Sequence, residues 1–231
     1  ENLHSDILCE FLNTKGKHGE GARFLKLFIK LINDLANGKV SVNEEDFENA
    51  EAIREKVNKI DILISNGKKA IIIENKINNA GDMHRQLPRY NEQVTFNNIE
   101  VVAIVYLPLD QYKTPDQTDW NDGEKVAIED KLVILKAFNG GNDYYSWVEK
   151  ATKNAEKCNN KEILNQYSKL IKKMGNQIMG DNKLNELNDM FLTDNGKCLF
   201  ESYSKLKEVI ETELPKRRAK ILCDEFTNRG F

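Results

Sequence analysis

Asp61, Glu74 and Lys76 are the residues whose types and spacing could do chemistry in this chain. They sit in two short isoleucine-rich runs, Asp61-Ile62-Leu63-Ile64 and Ala70-Ile71-Ile72-Ile73-Glu74-Asn75-Lys76, where charge is out of place. Between them lies Ser65-Asn66-Gly67-Lys68-Lys69, and Asn-Gly tolerates the positive φ of a tight turn, so the runs read as a β-hairpin. Side chains alternate along a strand. Ile72, Glu74 and Lys76 therefore share one face, and Ile71, Ile73 and Asn75 the other. In the first run Asp61 and Leu63 share a face opposite Ile60, Ile62 and Ile64. A tight turn sets Asp61 opposite Ile72 and diagonal to Glu74, and a longer loop sets it opposite Glu74. Both registers gather the three charges on one face, whereas a one-residue slip would part them.

Two carboxylates meeting on a half-buried surface repel each other and lose hydration, so a cation must join them. Lys76 neutralises one, and a divalent metal neutralises both. Oxygen ligands without a thiolate or imidazole cluster favour Mg²⁺ or Mn²⁺ over Zn²⁺. Such a metal polarises a phosphoryl oxygen and acidifies water, and a lysine beside it orients that water or stabilises developing charge. The chemistry suggested is phosphodiester hydrolysis.

Asp61 followed by Glu74-Asn75-Lys76 at the end of the next strand resembles the signature of the PD-(D/E)XK nuclease superfamily. Gln86-Leu87-Pro88-Arg89-Tyr90 is similar to the Gln-x-x-x-Tyr motif that follows it in the RecB-like branch. The opening Glu1-Asn2-Leu3-His4-Ser5-Asp6-Ile7-Leu8, then His18-Gly19-Glu20-Gly21, Phe24-Leu25 and Ile73-Glu74-Asn75-Lys76-Ile77, together look like PD-(D/E)XK nuclease family 4. The likeness covers roughly the first 110 residues closely and the rest in outline. It implies a restriction-endonuclease-like α/β core, a central mixed sheet flanked by helices, with the site on the second and third strands. It also implies hydrolysis of nucleic acid, DNA favoured, with Asp61, Glu74 and the backbone carbonyl of Asn75 holding the metal. Glu55 would support that set from a neighbouring strand, with Glu51 behind it. Lys76 would assist the attacking water, and Gln86 and Tyr90 would position it or the phosphate.

The elements that must present these residues follow from periodicity. Leu3, Ile7, Leu8, Phe11 and Leu12 give a helix over residues 2–13, and Phe24 to Leu35 give a second, ending near Asn37-Gly38. Residues 52–57 read as a strand beside the hairpin. Asp82 is a candidate cap for a helix carrying Gln86 and Tyr90 on one side, provided that the helix begins close enough to Gln86 to accommodate Pro88. Glu100 to Leu107 read as a buried strand near the sheet centre, ended by Pro108, 109–130 as a polar excursion, and 131–135 as a further strand. Helices are expected over 143–157, through the stripe Ile163, Tyr167, Leu170, Ile171 and Met174, and over 183–192 and 196–213. The whole is read as one domain over 1–231, a core to about residue 140 and a helical C-terminal extension from about 141. His4, His18, Glu1 and Glu10 lie ahead of the core as candidate ligands, with ordinary structural or solvated roles as the alternative. Lys216-Arg217-Arg218 with Lys220 is the compact basic cluster, read as a phosphate contact or a solvated helix face.

With 231 residues, 40% of them hydrophobic, the chain can bury a substantial core, and no apolar run approaches a membrane span. Cys9, Cys158, Cys198 and Cys223 are scattered, which fits reduced thiols and a cytoplasmic location. The first residue is Glu1, so a targeting signal stays open. A formal net charge of −3 argues against tight nonspecific binding of a polyanion, so a local groove and metals would have to do the binding. A homo-oligomer is compatible with the sequence. Two other readings remain: a nuclease-like fold that binds nucleic acid or a protein without cutting, and a surface ladder of ion pairs with no metal affinity.

Overall fold

The computed structural model describes residues 2–54, 59–77 and 80–191. Apolar residues at helical spacing build the first two helices, α1 (Asn2–Leu12) and α2 (Arg23–Ala36). Leu8, Phe11 and Leu12 bury one side of α1, while Leu3, expected in that stripe, is exposed. α2 ends where Asn37 takes a left-handed conformation, φ 48°, before Gly38, as the Asn-Gly pair predicts.

Five strands form one mixed sheet in the order β1 (Glu51–Ile53), β2 (Ile62–Ser65), β3 (Lys69–Lys76), β4 (Glu100–Pro108) and β5 (Leu132–Ile134). β1, β2 and β3 pair antiparallel, and β3, β4 and β5 pair parallel. Parallel neighbours need a crossover. α3 (Gln86–Phe96) makes the first, from β3 to β4, and α4 (Asp122–Glu129) the second, from β4 to β5. The expected polar excursion over 109–130 thus ends in a helix, which Asn121 and Glu124 start with a reciprocal capping box. β1 covers the start of the strand expected over 52–57, of which residues 55–57 lie outside the described residues.

The two faces of β3 carry two cores. Ile71 and Ile73 pack with α1, α2 and the helix α5 (Tyr144–Asn154), and Ile72 packs with Leu87, Tyr90 and Val94 of α3 and Ile128 of α4. All three isoleucines are fully buried, each contributing about 2 kcal/mol of hydrophobic stabilisation. That burial offsets what it costs to bring charge onto the end of the same strand. Ile60 lies in the α3-side cluster, not with Ile62 and Ile64 as strict alternation predicts, because β2 begins only at Ile62 and the backbone bends at Asp61.

The larger core runs past residue 140, the expected edge of the nuclease core. Tyr144, Trp147 and Val148 of α5 and Leu164, Tyr167 and Ile171 of α6 (Cys158–Phe191) belong to it. In α6 the buried stripe therefore falls on Leu164, and Ile163 is exposed. Chain packing forms two compact units, residues 1–178 and 179–231. The expected helix over 183–192 lies within α6 except at its last residue, whereas the one over 196–213 and the basic cluster at 216–220 fall outside the described residues. Among the described residues no helix is long and apolar enough to cross a membrane.

Candidate active site

Strand register brings the hairpin charges together. Ile62 pairs with Ile73 and Ser65 with Ala70, so the loop is the longer of the two alternatives, and one further step sets Asp61 beside Glu74. Asp61 lies just ahead of β2, and its Oδ2 accepts the Asn75 N–H at 2.9 Å. The Asn75 side chain points to the opposite face of the sheet. There its Nδ2 donates to Ser5 Oγ at 3.0 Å and its Oδ1 accepts Ile77 N–H at 3.1 Å, which ties α1 to the end of β3.

Glu74 and Lys76 are 1% and 3% exposed, which rules out the surface ladder. Lys76 Nζ lies 2.7 Å from Glu74 Oε1 and donates at 3.0 Å to both the Gly81 carbonyl and Gln86 Oε1. The Gln86 amide group is used from both ends: its oxygen also accepts Met83 N–H at 3.1 Å, and its nitrogen donates to Glu74 Oε1 at 2.8 Å and Tyr90 Oη at 2.9 Å. The Tyr90 hydroxyl in turn donates to the carbonyl of Lys59. That bond reaches the left-handed residue two positions before Asp61, a conformation that costs a non-glycine residue energy and needs holding. Pro88 causes no conflict. α3 begins at Gln86, so Pro88 stands in the first turn, where an N–H would have no helical partner.

Burial, and next the charge of Asp61, pushes the Glu74 carboxyl up to about 8, with Lys76 opposing. Burial pulls the Lys76 ammonium down, but the charges and hydrogen bonds of Glu74 and Asp82 outweigh it and hold the group above the usual lysine range. Burial and Glu74 also raise the Tyr90 phenol, which stays protonated as a donor. Glu74 Oε2 is buried and has no hydrogen-bond partner. A buried carboxylate oxygen left over beside a second carboxylate is the donor set a hard divalent cation takes. Among the described residues no three His, Cys, Asp or Glu side chains converge, so this pair would need backbone carbonyl or water oxygens to complete a coordination shell.

Asp82, expected as a helix cap, does something else. The residue before α3 is Arg85, left-handed at φ 44° and without a side-chain cap bond. Asp82 Oδ1 lies 3.4 Å from Lys76 Nζ, its two oxygens accept the Tyr106 hydroxyl at 3.0 and 3.1 Å, and Oδ2 accepts Asp116 N–H at 2.9 Å. Sequence reading passed over Tyr106 as well. It sits beside Glu74 in the parallel register of β3 and β4, a pairing that adjacency in sequence does not reveal.

The remaining candidates separate. His4 is buried, its Nδ1 lies 3.2 Å from Tyr167 Oη, and burial lowers its pKa to about 4, so it stays neutral. His18 has both ring nitrogens engaged, Nε2 with the Asn13 carbonyl at 2.8 Å and Nδ1 accepting Glu20 N–H at 3.1 Å, and it stacks on Phe11. Glu10 accepts His18 N–H at 3.0 Å. These contacts make His18 and Glu10 organisers of the loop between α1 and α2. Glu51 pairs with Lys15 on the surface at the hairpin-loop end of β1, opposite Ser65. Glu1 and Glu55 lie outside the described residues.

No curated protein and no solved structure matches this chain. The family model described as PD-(D/E)XK nuclease superfamily matches residues 1–169, which takes in all five strands among the described residues, the Asp61–Glu74–Lys76 cluster and α3. The chain belongs to the PD-(D/E)XK nuclease superfamily.

Proposed function

We propose that this protein is a metal-dependent nuclease that hydrolyses phosphodiester bonds, with DNA as the favoured substrate. The observation that carries the reading is the unpartnered, buried Glu74 Oε2 beside Asp61, with a fixed ammonium on the other carboxylate oxygen. Asp61, Glu74 and the Asn75 carbonyl would hold Mg²⁺ or Mn²⁺, with Glu55 as further support. A divalent ion held there would supply Lewis acidity toward a phosphoryl oxygen and acidify bound water.

The protein's own groups do the rest. Lys76 brings a charged donor to the end of β3; its protons face Glu74, the Gly81 carbonyl and Gln86, and the one facing Glu74 Oε1 would turn to the attacking water and the phosphate once Glu74 takes up a cation. Gln86 fixes Lys76 and Glu74 relative to each other by bonding both. Tyr90 holds Gln86 and the Lys59 turn, and through that turn it sets where Asp61 stands. Their polar atoms are engaged with the protein, which favours holding the site over binding phosphate directly. A location in the cytoplasm and a homo-oligomeric assembly are compatible with this reading.

The test is cleavage of linear duplex, circular duplex, single-stranded DNA and RNA, with Mg²⁺, with Mn²⁺ and with chelator. Asp61→Asn, Lys76→Ala and wild type are compared. Metal-dependent cutting that both substitutions abolish, with folded variants by circular dichroism, is the expected outcome. Equal cutting by Asp61→Asn and wild type refutes the assignment. Metal binding without cutting of any substrate replaces it with the binding-module reading.

A further inference from the structure

We infer that Asp82 is a positioning residue for Lys76, a second counter-charge that keeps the ammonium in place once Glu74 is committed to a cation. The inference rests on the nuclease reading of the site. Lys76 Nζ has three protons and four acceptors around it: Glu74 Oε1 at 2.7 Å, the Gly81 carbonyl and Gln86 Oε1 at 3.0 Å, and Asp82 Oδ1 at 3.4 Å. Three of the four are short. The fourth is the only other carboxylate against this ammonium among the described residues.

A cation on Glu74 draws charge out of that carboxylate and weakens its hold on Lys76. The two neutral oxygens remain, but a buried ammonium with no ionised partner is costly. Asp82 supplies the partner. With all groups ionised, Asp61, Glu74 and Asp82 against Lys76 leave two negative charges, which one divalent cation balances. Without Asp82 the same cation would leave a net positive site.

Asp82 is built to stay where it is. Its side chain is 9% exposed, both oxygens accept the Tyr106 hydroxyl, and Asp116 N–H donates to Oδ2. Tyr106 is fully buried on β4 in register with Glu74, so it rises from the same sheet as the metal-binding strand. The loop carrying Asp82 is also fastened by Lys113, whose Nζ donates to the Ala80 carbonyl. These contacts place the start of the 109–121 excursion against the loop that holds Lys76.

Asp82→Asn separates charge from structure, because the amide oxygen can still accept from Tyr106 and the Asp116 N–H can bond to it. Cleavage is measured at saturating and limiting substrate, well below the unfolding midpoint. We expect kcat to fall at least tenfold with KM within twofold, and Asp82→Glu to recover part of the loss. Independently of activity, urea midpoints of wild type, Asp82→Asn, Lys76→Met and the double variant are compared under saturating Mn²⁺. The expected result is non-additive, the double variant losing less than the sum of the two single losses. Unchanged kcat in Asp82→Asn overturns the inference, and so do additive midpoints. Non-additive midpoints in a wild type that cuts nothing sink the nuclease reading and leave the Lys76–Asp82 coupling supported.

Discussion

Glu74→Gln in the presence of chelator should make the protein more stable, and increasingly so as pH rises. The folded-state carboxyl titrates at about 8 against an ordinary value of 4.5. Below the lower value the group is protonated in both states, so folding is indifferent to it. Between the two values the folded state retains a proton that the unfolded state releases, so this group's contribution to stability is lost as pH rises. The full difference is about 5 kcal/mol, accumulating at roughly 1.4 kcal/mol per pH unit between pH 4.5 and 8. Glutamine keeps an oxygen for the Gln86 and Lys76 donors, has no proton to lose, and so escapes the penalty. Urea unfolding of wild type and variant from pH 4.5 to 9, followed by circular dichroism, gives the difference in stability at each pH and cancels the titrations that do not sense Glu74. That difference should climb through the window and level off above it. A difference that stays flat within about 0.5 kcal/mol refutes the burial and repulsion argument for Glu74. Saturating Mn²⁺ should then restore the wild type alone, by about 2.7 kcal/mol at a hundredfold excess over Kd.

Tyr90→Phe leaves the Lys59 carbonyl and one Gln86 N–H without their bonds, so unfolding midpoints should show a loss of about 1–3 kcal/mol, and cleavage should drop because Asp61 is less well held. Gln86→Leu removes the bridge between Glu74 and Lys76, and cleavage assays should find it more damaging to activity than Tyr90→Phe. His18→Ala should cost about 1–3 kcal/mol of stability through its two backbone bonds and ring packing, while calorimetry finds Mn²⁺ affinity unchanged. Weakened Mn²⁺ binding in that variant would reinstate His18 as a ligand. Asn75→Ala should lower stability by about 1–2 kcal/mol, through the lost Ser5 and Ile77 bonds, and retain Mn²⁺ binding because the backbone carbonyl remains.

Local pattern in the sequence determined a good deal. Period-two alternation decided that Glu74 and Lys76 share a face, since a strand leaves no other arrangement, and Asn66-Gly67 marked the turn between the runs. Helical spacing placed Gln86 and Tyr90 on one side of α3, and the condition that Pro88 imposes, a start close to Gln86, is met. The family resemblance lay in those same short motifs, and the match to residues 1–169 bears it out.

What the sequence could not decide depended on distance along the chain. Whether Asp61 faces Ile72 or Glu74 turned on the loop closing at Ser65 and Ala70, a choice made by packing on both faces of the sheet. Asp82 read as a cap because its neighbours suggest a helix start. Its real partners, Lys76, Tyr106 and Asp116, reach it only after β4 lies parallel to β3 and the excursion folds back. His18 shows the same limit, since a ring bonded on both sides and a ligand look alike in a string of letters. Residue types and local period thus set which groups could carry the chemistry. The tertiary structure alone set their burial and partners, and in a buried cluster these decide protonation and charge balance.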